Sequence, residues 1–117
     1  MSKSIVLEKA FQFALRIVKL NRYLIEEKKK YVLSKELLTA GTHIGKHIKE
    51  AVNAESRQTF VQEMGIARRK ASETEYWLEL LFQADLLSEK QFDSNEKDRE
   101  EIIKLLTSIV KTSKESV

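Results

Sequence analysis

LLTAGTHIGKHIKEAVNAESRQTFVQEMGIARRKASETEYWLELL, residues 37–81, contains no proline and keeps apolar or small side chains at helical spacing over most of its length. Such spacing is typical of helices packed in a bundle. The pattern is interrupted at residues 53–56, where either Asn53 or Ser56 can cap a following helix. The segment therefore belongs to two helices, which we predict at about residues 31–52 and 57–84.

The residues before this segment predict a first helix at about residues 4–27. Its inward side chains fall at spacings of three and four residues: Val6, Ala10, Phe13, Ile17, Leu20 and Leu24. A second apolar row lies beside them: Leu7, Phe11, Ala14, Val18 and Ile25. The combined stripe is wide enough to contact two neighbouring helices. The charged run at residues 26–30, EEKKK, ends the pattern.

The second and third helices each carry one inward row. In the second helix we expect it to comprise Leu33, Leu37, Leu38, Gly41, Ile44, Gly45, Ile48 and Val52. In the third helix we expect Phe60, Met64, Ala67, Ala71, Thr74, Leu78 and Leu81. A glycine inside a helix costs about 1 kcal/mol relative to alanine, so Gly41 and Gly45 predict a close approach of another backbone, within the subunit or between subunits.

Three aromatic side chains of the third helix fall away from its inward row. Tyr76, Trp77 and Phe82 cover either the edge of the bundle or an interface between subunits, where aromatic residues are enriched. We therefore name Gly41, Gly45, Tyr76 and Trp77 as candidates for an oligomer or partner interface.

A fourth helix is predicted at about residues 89–113. Ser88 followed three residues later by Gln91 resembles a capping box. The residues that continue its pattern follow: Phe92, Arg99, Ile102, Ile103, Leu106, Ile109 and Val110. The polar run at residues 93–101 is compatible with a continuous helix or with a loop from which the helix restarts near Glu96. Short connections favour antiparallel neighbours, so the sequence predicts a single all-α domain, residues 1–117, folded as an up-down-up-down four-helix bundle.

The composition excludes several classes of protein. The chain of 117 residues is 42% hydrophobic and 33% charged, with no proline and three glycines, which favours amphipathic helices over a β-rich fold. It has no cysteine, so disulfides and thiolate chemistry are excluded and a cytoplasmic location is expected. No stretch approaches the roughly 20 apolar residues of a membrane span, and we expect no membrane association.

Four segments of the sequence resemble the corresponding segments of the bacterial four-helix bundle proteins known as S23 or 23S rRNA intervening-sequence proteins. They are AGTHIGKH at residues 40–47, EA at 50–51, ESR at 55–57 and ETEYWLELL at 73–81. The resemblance implies a left-handed antiparallel bundle that assembles as a homopentameric ring. Relatives include the accessory variability proteins of diversity-generating retroelements, which engage nucleic acid and a reverse transcriptase.

The sequence of the second helix departs from the usual sequence of the family. His43, Lys46 and His47 stand where the family usually has Ser, Ala and Asn, and Thr39 replaces a frequent Arg. These departures alter the helix face on which a shared ligand would be sought, so no binding residue is transferred from the family.

One combination of residues has the spacing of a metal site. His43, His47 and Glu50 project from one side of the second helix, and a pair of histidines four residues apart can chelate zinc. The alternative is a polar or subunit-facing surface. We favour the alternative, because a metal centre needs a further shell of supporting groups that the sequence does not provide. We therefore predict no metal and no cofactor.

The candidates for contact with nucleic acid are basic: Lys46, Lys49, Arg68, Arg69 and Lys70. They would bind phosphates without reading sequence. The alternative is an ordinary solvated surface, since the net charge is only +3 and residues 68–70 fan over about 200° of their helix. In a homo-oligomer the same modest patch would repeat once per subunit.

No catalytic motif is present. The sequence lacks a glycine-rich phosphate loop, a Gly-x-Ser-x-Gly elbow and a recognisable acid and base pair. We predict a non-enzymatic, homo-oligomeric helical scaffold that binds RNA, DNA or a nucleoprotein complex. The alternative is a protein-interaction module, built around Tyr76 and Trp77, with no role in nucleic-acid binding.

Overall fold

The computed structural model describes residues 2–115, and the side chains of residues 5–114 within them. These residues form α1 (Ser2–Glu26), α2 (Tyr31–Val52), α3 (Arg57–Gln83) and α4 (Glu89–Glu115), with no strand in the described part of the chain. The all-α prediction is confirmed. The bounds predicted for the second helix coincide with those of α2, and the other predicted bounds differ from the observed ones by at most two residues.

Two helix starts are capped as the sequence predicts. The Ser56 hydroxyl accepts a hydrogen bond from the Thr59 backbone N–H at 3.1 Å, whereas Asn53 lies at the carboxyl end of α2. At α4 the Gln91 N–H donates to the Ser88 hydroxyl at 3.0 Å and the Ser88 N–H donates to the Gln91 side chain at 2.8 Å. This reciprocal pair starts a helix that continues without interruption, so the alternative of a loop at residues 93–101 is wrong.

Each helix packs against the next one along the chain, and α4 also packs against α1. In the contact between α1 and α2, Gly41 lies against Ile17 and Gly45 lies against Ala10. Residue numbers rise along α2 as they fall along α1, so the two helices run in opposite directions. In the contact between α4 and α1, Arg16 donates a hydrogen bond to Asp98 and Lys9 donates one to Glu101. Residue numbers again run in opposite directions along the two helices. These contacts are those expected of antiparallel neighbours.

The contacts of α3 follow the same rule. His47 and His43 of α2 face Glu63 and Lys70 of α3 respectively. The Arg99 side chain of α4 reaches the Ala71 carbonyl and Glu75, whereas Val110 shares a groove with Val61 and Ile66. Since α1 and α3 both oppose α2, they run in the same direction. The left-handed sense of the bundle stays a prediction.

The core contains most of the side chains that the helical spacing selects. All six predicted inward residues of α1 are buried, as are six of the seven predicted for α3, where Phe60 is half-buried. Three predicted positions are wrong: Phe11, Val18 and Val52 are 58%, 39% and 42% exposed. The two in α1 are exposed because α1 contacts only α2 and α4, which cover a narrower stripe than the apolar residues occupy. The core also holds four polar side chains: Ser34, Thr74, Asn95 and Arg99.

Over the part of the chain that the structure describes, no helix combines the length and the apolar character that crossing a bilayer requires.

Candidate nucleic-acid interface

Two of the predicted basic residues line a groove between α1 and α2. Lys46 and Lys49 are exposed on α2 and project beside Phe11 of α1. Gly45 and Glu50 also line this groove. Neither ammonium group makes a hydrogen bond or ion pair with the residues that the structure describes, so both are available to an anionic ligand.

Two others line a separate groove between α3 and α4. Arg68 and Arg69 lie there together with Lys114 near the end of α4. None of the three side chains is paired within residues 5–114. Below them lies an apolar floor made by Val61, Ile66 and Val110.

The floor of this α3/α4 groove is open at Gly65. A Cβ atom added there would meet no atom within 4 Å among the described residues. A ligand can therefore approach the α3 backbone closely between the basic side chains.

Lys70 belongs to neither groove. Its ammonium group pairs with Glu73 at 3.2 Å and lies close enough to His43 to contribute to that residue's lowered pKa. The five predicted cations thus lie at three places on one chain. Lys46 and Lys49 share one groove and Arg68 and Arg69 share the other, but the structure does not join these two pairs into one site.

The histidines face α3 and are not arranged for a metal. His47 Nδ1 lies 3.1 Å from Glu63 Oε1, and both side chains are about five-sixths buried. The centroids of the His43 and His47 rings are 6.1 Å apart, whereas Glu50 lies on the other flank of α2, in the α1/α2 groove. Among the described residues no three His, Asp or Glu side chains are placed to hold a metal ion.

His43 lies close to Lys46, Lys70 and His47, and also to the carboxylate of Glu73. Its partial burial lowers the pKa of its imidazole, and Lys46, Lys70 and His47 lower it further. His43 is therefore more often neutral than an exposed histidine at the same pH.

The four predicted interface residues have different surroundings. Tyr76 is 61% exposed and meets Trp77 edge to face, with 5.1 Å between ring centroids, while Trp77 packs partly on the core. A Cβ on Gly41 would lie 2.9 Å from Ile17, so its close approach is inside the chain. Gly45 is less crowded, at 3.6 Å from Ala10, and borders the α1/α2 groove.

Sequence reasoning missed one surface feature. Phe11, Leu15 and Val18 form a row on α1 that is exposed by 58%, 43% and 39%. The signal was present in the sequence, because an apolar stripe this wide exceeds what two neighbouring helices can cover.

The chain matches a family model described as 23S rRNA-intervening sequence protein over residues 2–108. It is also similar to a protein of unknown function from the S23 ribosomal protein family of Bacteroides thetaiotaomicron, known from a crystal structure at 1.70 Å. The two share 45% sequence identity with a TM-score of 0.93, over 95% of this chain and 99% of the other. No curated protein matches the chain.

Proposed function

The chain belongs to the 23S rRNA-intervening sequence protein family, and from this premise we propose that it is a non-enzymatic, homo-oligomeric helical scaffold that binds nucleic acid. RNA, alone or in a nucleoprotein complex, is the preferred ligand, and the cytoplasm is the expected location. The family resemblance implies five subunits.

The unpaired cations of the two grooves carry this proposal. Lys46 and Lys49 in one groove, and Arg68, Arg69 and Lys114 in the other, make no ion pair within the described chain. By contrast, Lys9, Arg16 and Arg99 each pair with a carboxylate. Unpaired cations along a groove suit the phosphates of a nucleic-acid backbone, which fix position without reading sequence.

Assembly strengthens this argument. A net charge of +3 is modest for a nucleic-acid-binding protein. A homo-oligomer repeats both grooves in every subunit, so weak contacts act together on one long ligand.

The test removes the two lysines of the α1/α2 groove. In the Lys46→Glu, Lys49→Glu variant we expect weaker binding of a labelled RNA. The slope of log K against log salt should flatten by about 0.7 to 0.9 for each phosphate that the variant no longer neutralises. The matched control is Lys97→Glu, Lys104→Glu, which makes the same charge change on exposed positions of α4 outside both grooves. Equal affinity for the groove variant and the wild type would refute the assignment of these lysines.

The exposed ring of Tyr76 favours a second candidate function, a protein-interaction module. On that hypothesis replacing Trp77, which supports Tyr76, should weaken binding of a protein partner, and that binding should depend little on salt. A loss of assembly in the Trp77 variant would instead assign these aromatics to contacts between subunits.

A further inference from the structure

Two apolar surfaces lie on α1 and α3, helices that do not pack side by side in the described part of the chain. The α1 face consists of Phe11, Leu15 and Val18, and the α3 face of Tyr76 and Leu80, which are 61% and 37% exposed. Each face is outward on its own helix, and no part of the described chain covers it.

From these surfaces we propose that the α1 face of one copy packs against the α3 face of a second copy. This inference rests on the homo-oligomer of the proposed function and names the two surfaces that join its subunits. The occupant of each face is thus another molecule of the same chain.

The charges beside the two faces are complementary. Lys19 and Arg22 are exposed at the later end of the α1 face, and Glu79 is exposed at the later end of the α3 face. None of the three makes an ion pair with the part of the chain that the structure describes.

Helix direction gives these charges a common register. Because α1 and α3 run the same way within one copy, copies related by rotation about an axis along the bundle present them to each other in parallel. In the register that pairs Lys19 with Glu79, Leu15 lies opposite Tyr76, about one turn earlier on both helices. The next turn brings residues 18 and 19 opposite residues 79 and 80.

In this register the apolar and the charged side chains of that turn lie on different flanks of the contact. At 100° per residue, Leu15 and Tyr76 both point away from their own cores. Val18 and Leu80 then fall on one flank of the contact, whereas Lys19 and Glu79 fall on the other. The contact has an apolar centre and apolar flank, with an ion pair along its other edge.

Such a contact joins two different surfaces, so it is heterologous. Heterologous contacts repeat from copy to copy and close into a ring when the rotation permits. A two-fold contact of α1 with α1 would also bring Glu8 near Arg22, but it would leave Tyr76 and Leu80 exposed to water. The α1-to-α3 contact covers both faces with a single kind of contact.

The experiment blocks one face at a time. Leu15→Asp and Tyr76→Asp each place a carboxylate at the centre of one face, and both positions are exposed, so the fold should survive, as circular dichroism would verify. Each variant alone should run as a monomer of 13.6 kDa in light scattering. An equimolar mixture should contain dimers, because one intact α1 face and one intact α3 face remain. Val32→Asp, at a position 76% exposed on α2 and outside both faces, should retain the wild-type mass.

Two results would overturn the inference: wild-type mass in either single variant, and a mixture that stays monomeric. If Tyr76→Asp keeps the wild-type mass and Leu15→Asp loses it, the result indicates a two-fold α1 contact. If the wild-type chain itself were a monomer, the homo-oligomer of the proposed function would fail as well. Assembly that survives both substitutions overturns only the choice of surfaces.

Discussion

Gly41 and Gly65 both lie inside helices, but their surroundings differ. A Cβ on Gly41 would lie 2.9 and 3.0 Å from two carbons of the fully buried Ile17, whereas a Cβ on Gly65 would meet nothing within 4 Å of the described chain. Overpacking costs about 1 to 3 kcal/mol. Alanine is favoured over glycine in a helix by about 1 kcal/mol.

The two alanine variants should therefore change stability in opposite directions. We expect Gly41→Ala to lower the free energy of unfolding by about 1 kcal/mol, since the clash exceeds the helical gain. Gly65→Ala should raise it by about 0.5 to 1 kcal/mol. Urea denaturation of both variants beside the wild type measures the difference. A stabilised Gly41→Ala would show that Ile17 moves aside without loss.

His43 gives a prediction for acid conditions. Its pKa in the folded chain lies below the ordinary value of 6.5, because of burial and of the charges of Lys46, Lys70 and His47, against which Glu73 acts weakly. As the pH falls below about 6.5 the unfolded chain therefore binds more protons at this site than the folded chain does, and stability declines. Above that pH the penalty is absent.

The comparison that checks it is the urea midpoint at pH 7.5 and at pH 5.5. His43→Gln should lose less stability between the two pH values than the wild type does, since its side chain does not titrate. An identical loss in both proteins would assign the acid sensitivity to other groups.

At the scale of the helix, α4 depends on a buried arginine. Arg99 is 3% exposed and its guanidinium donates to Glu96 at 2.7 and 2.8 Å, to Glu75 at 3.2 Å and to the Ala71 carbonyl at 3.4 Å. These bonds join the polar half of α4 to α3. They replace the apolar contacts that this half of the helix lacks.

Removing the arginine should therefore destabilise the bundle strongly. We expect Arg99→Ala to lower the free energy of unfolding by about 3 kcal/mol, because Glu96 is left partly buried without its partner. Lys104→Ala is the control, since Lys104 is 76% exposed and lies 3.9 Å from Glu100, and its loss should matter by less than about 1 kcal/mol. Chemical denaturation distinguishes them, and equal losses would contradict a special role for Arg99.

The same helix shows where sequence reasoning stopped. Residues 93–101 could be interpreted as helix or loop, because their apolar spacing is sparse. What makes them helical is the burial of Asn95 and Arg99, and the partners of Arg99 on α3 lie far away in sequence. No local pattern contains that pairing. The Ser88 and Gln91 cap, by contrast, could be predicted because both partners lie within one turn.

Across the whole molecule, periodicity predicted which helices form and most of what they bury. It could not predict how the basic residues group, because Lys46 and Arg68 take their places only when α1 and α4 pack beside them. Periodicity also predicted a wider buried apolar stripe on α1 than the structure has. Phe11 and Val18, which lie outside the buried stripe, belong to the α1 face from which we infer contact between copies.

The measurement that tests the central claim most directly is light scattering on a gel-filtration column, with absorbance recorded at 260 and 280 nm on protein purified gently at low salt. An oligomeric scaffold that binds nucleic acid should elute at a multiple of 13.6 kDa, five subunits on the family resemblance, with excess absorbance at 260 nm that high salt removes. A monomer free of nucleic acid under the same conditions would contradict the account.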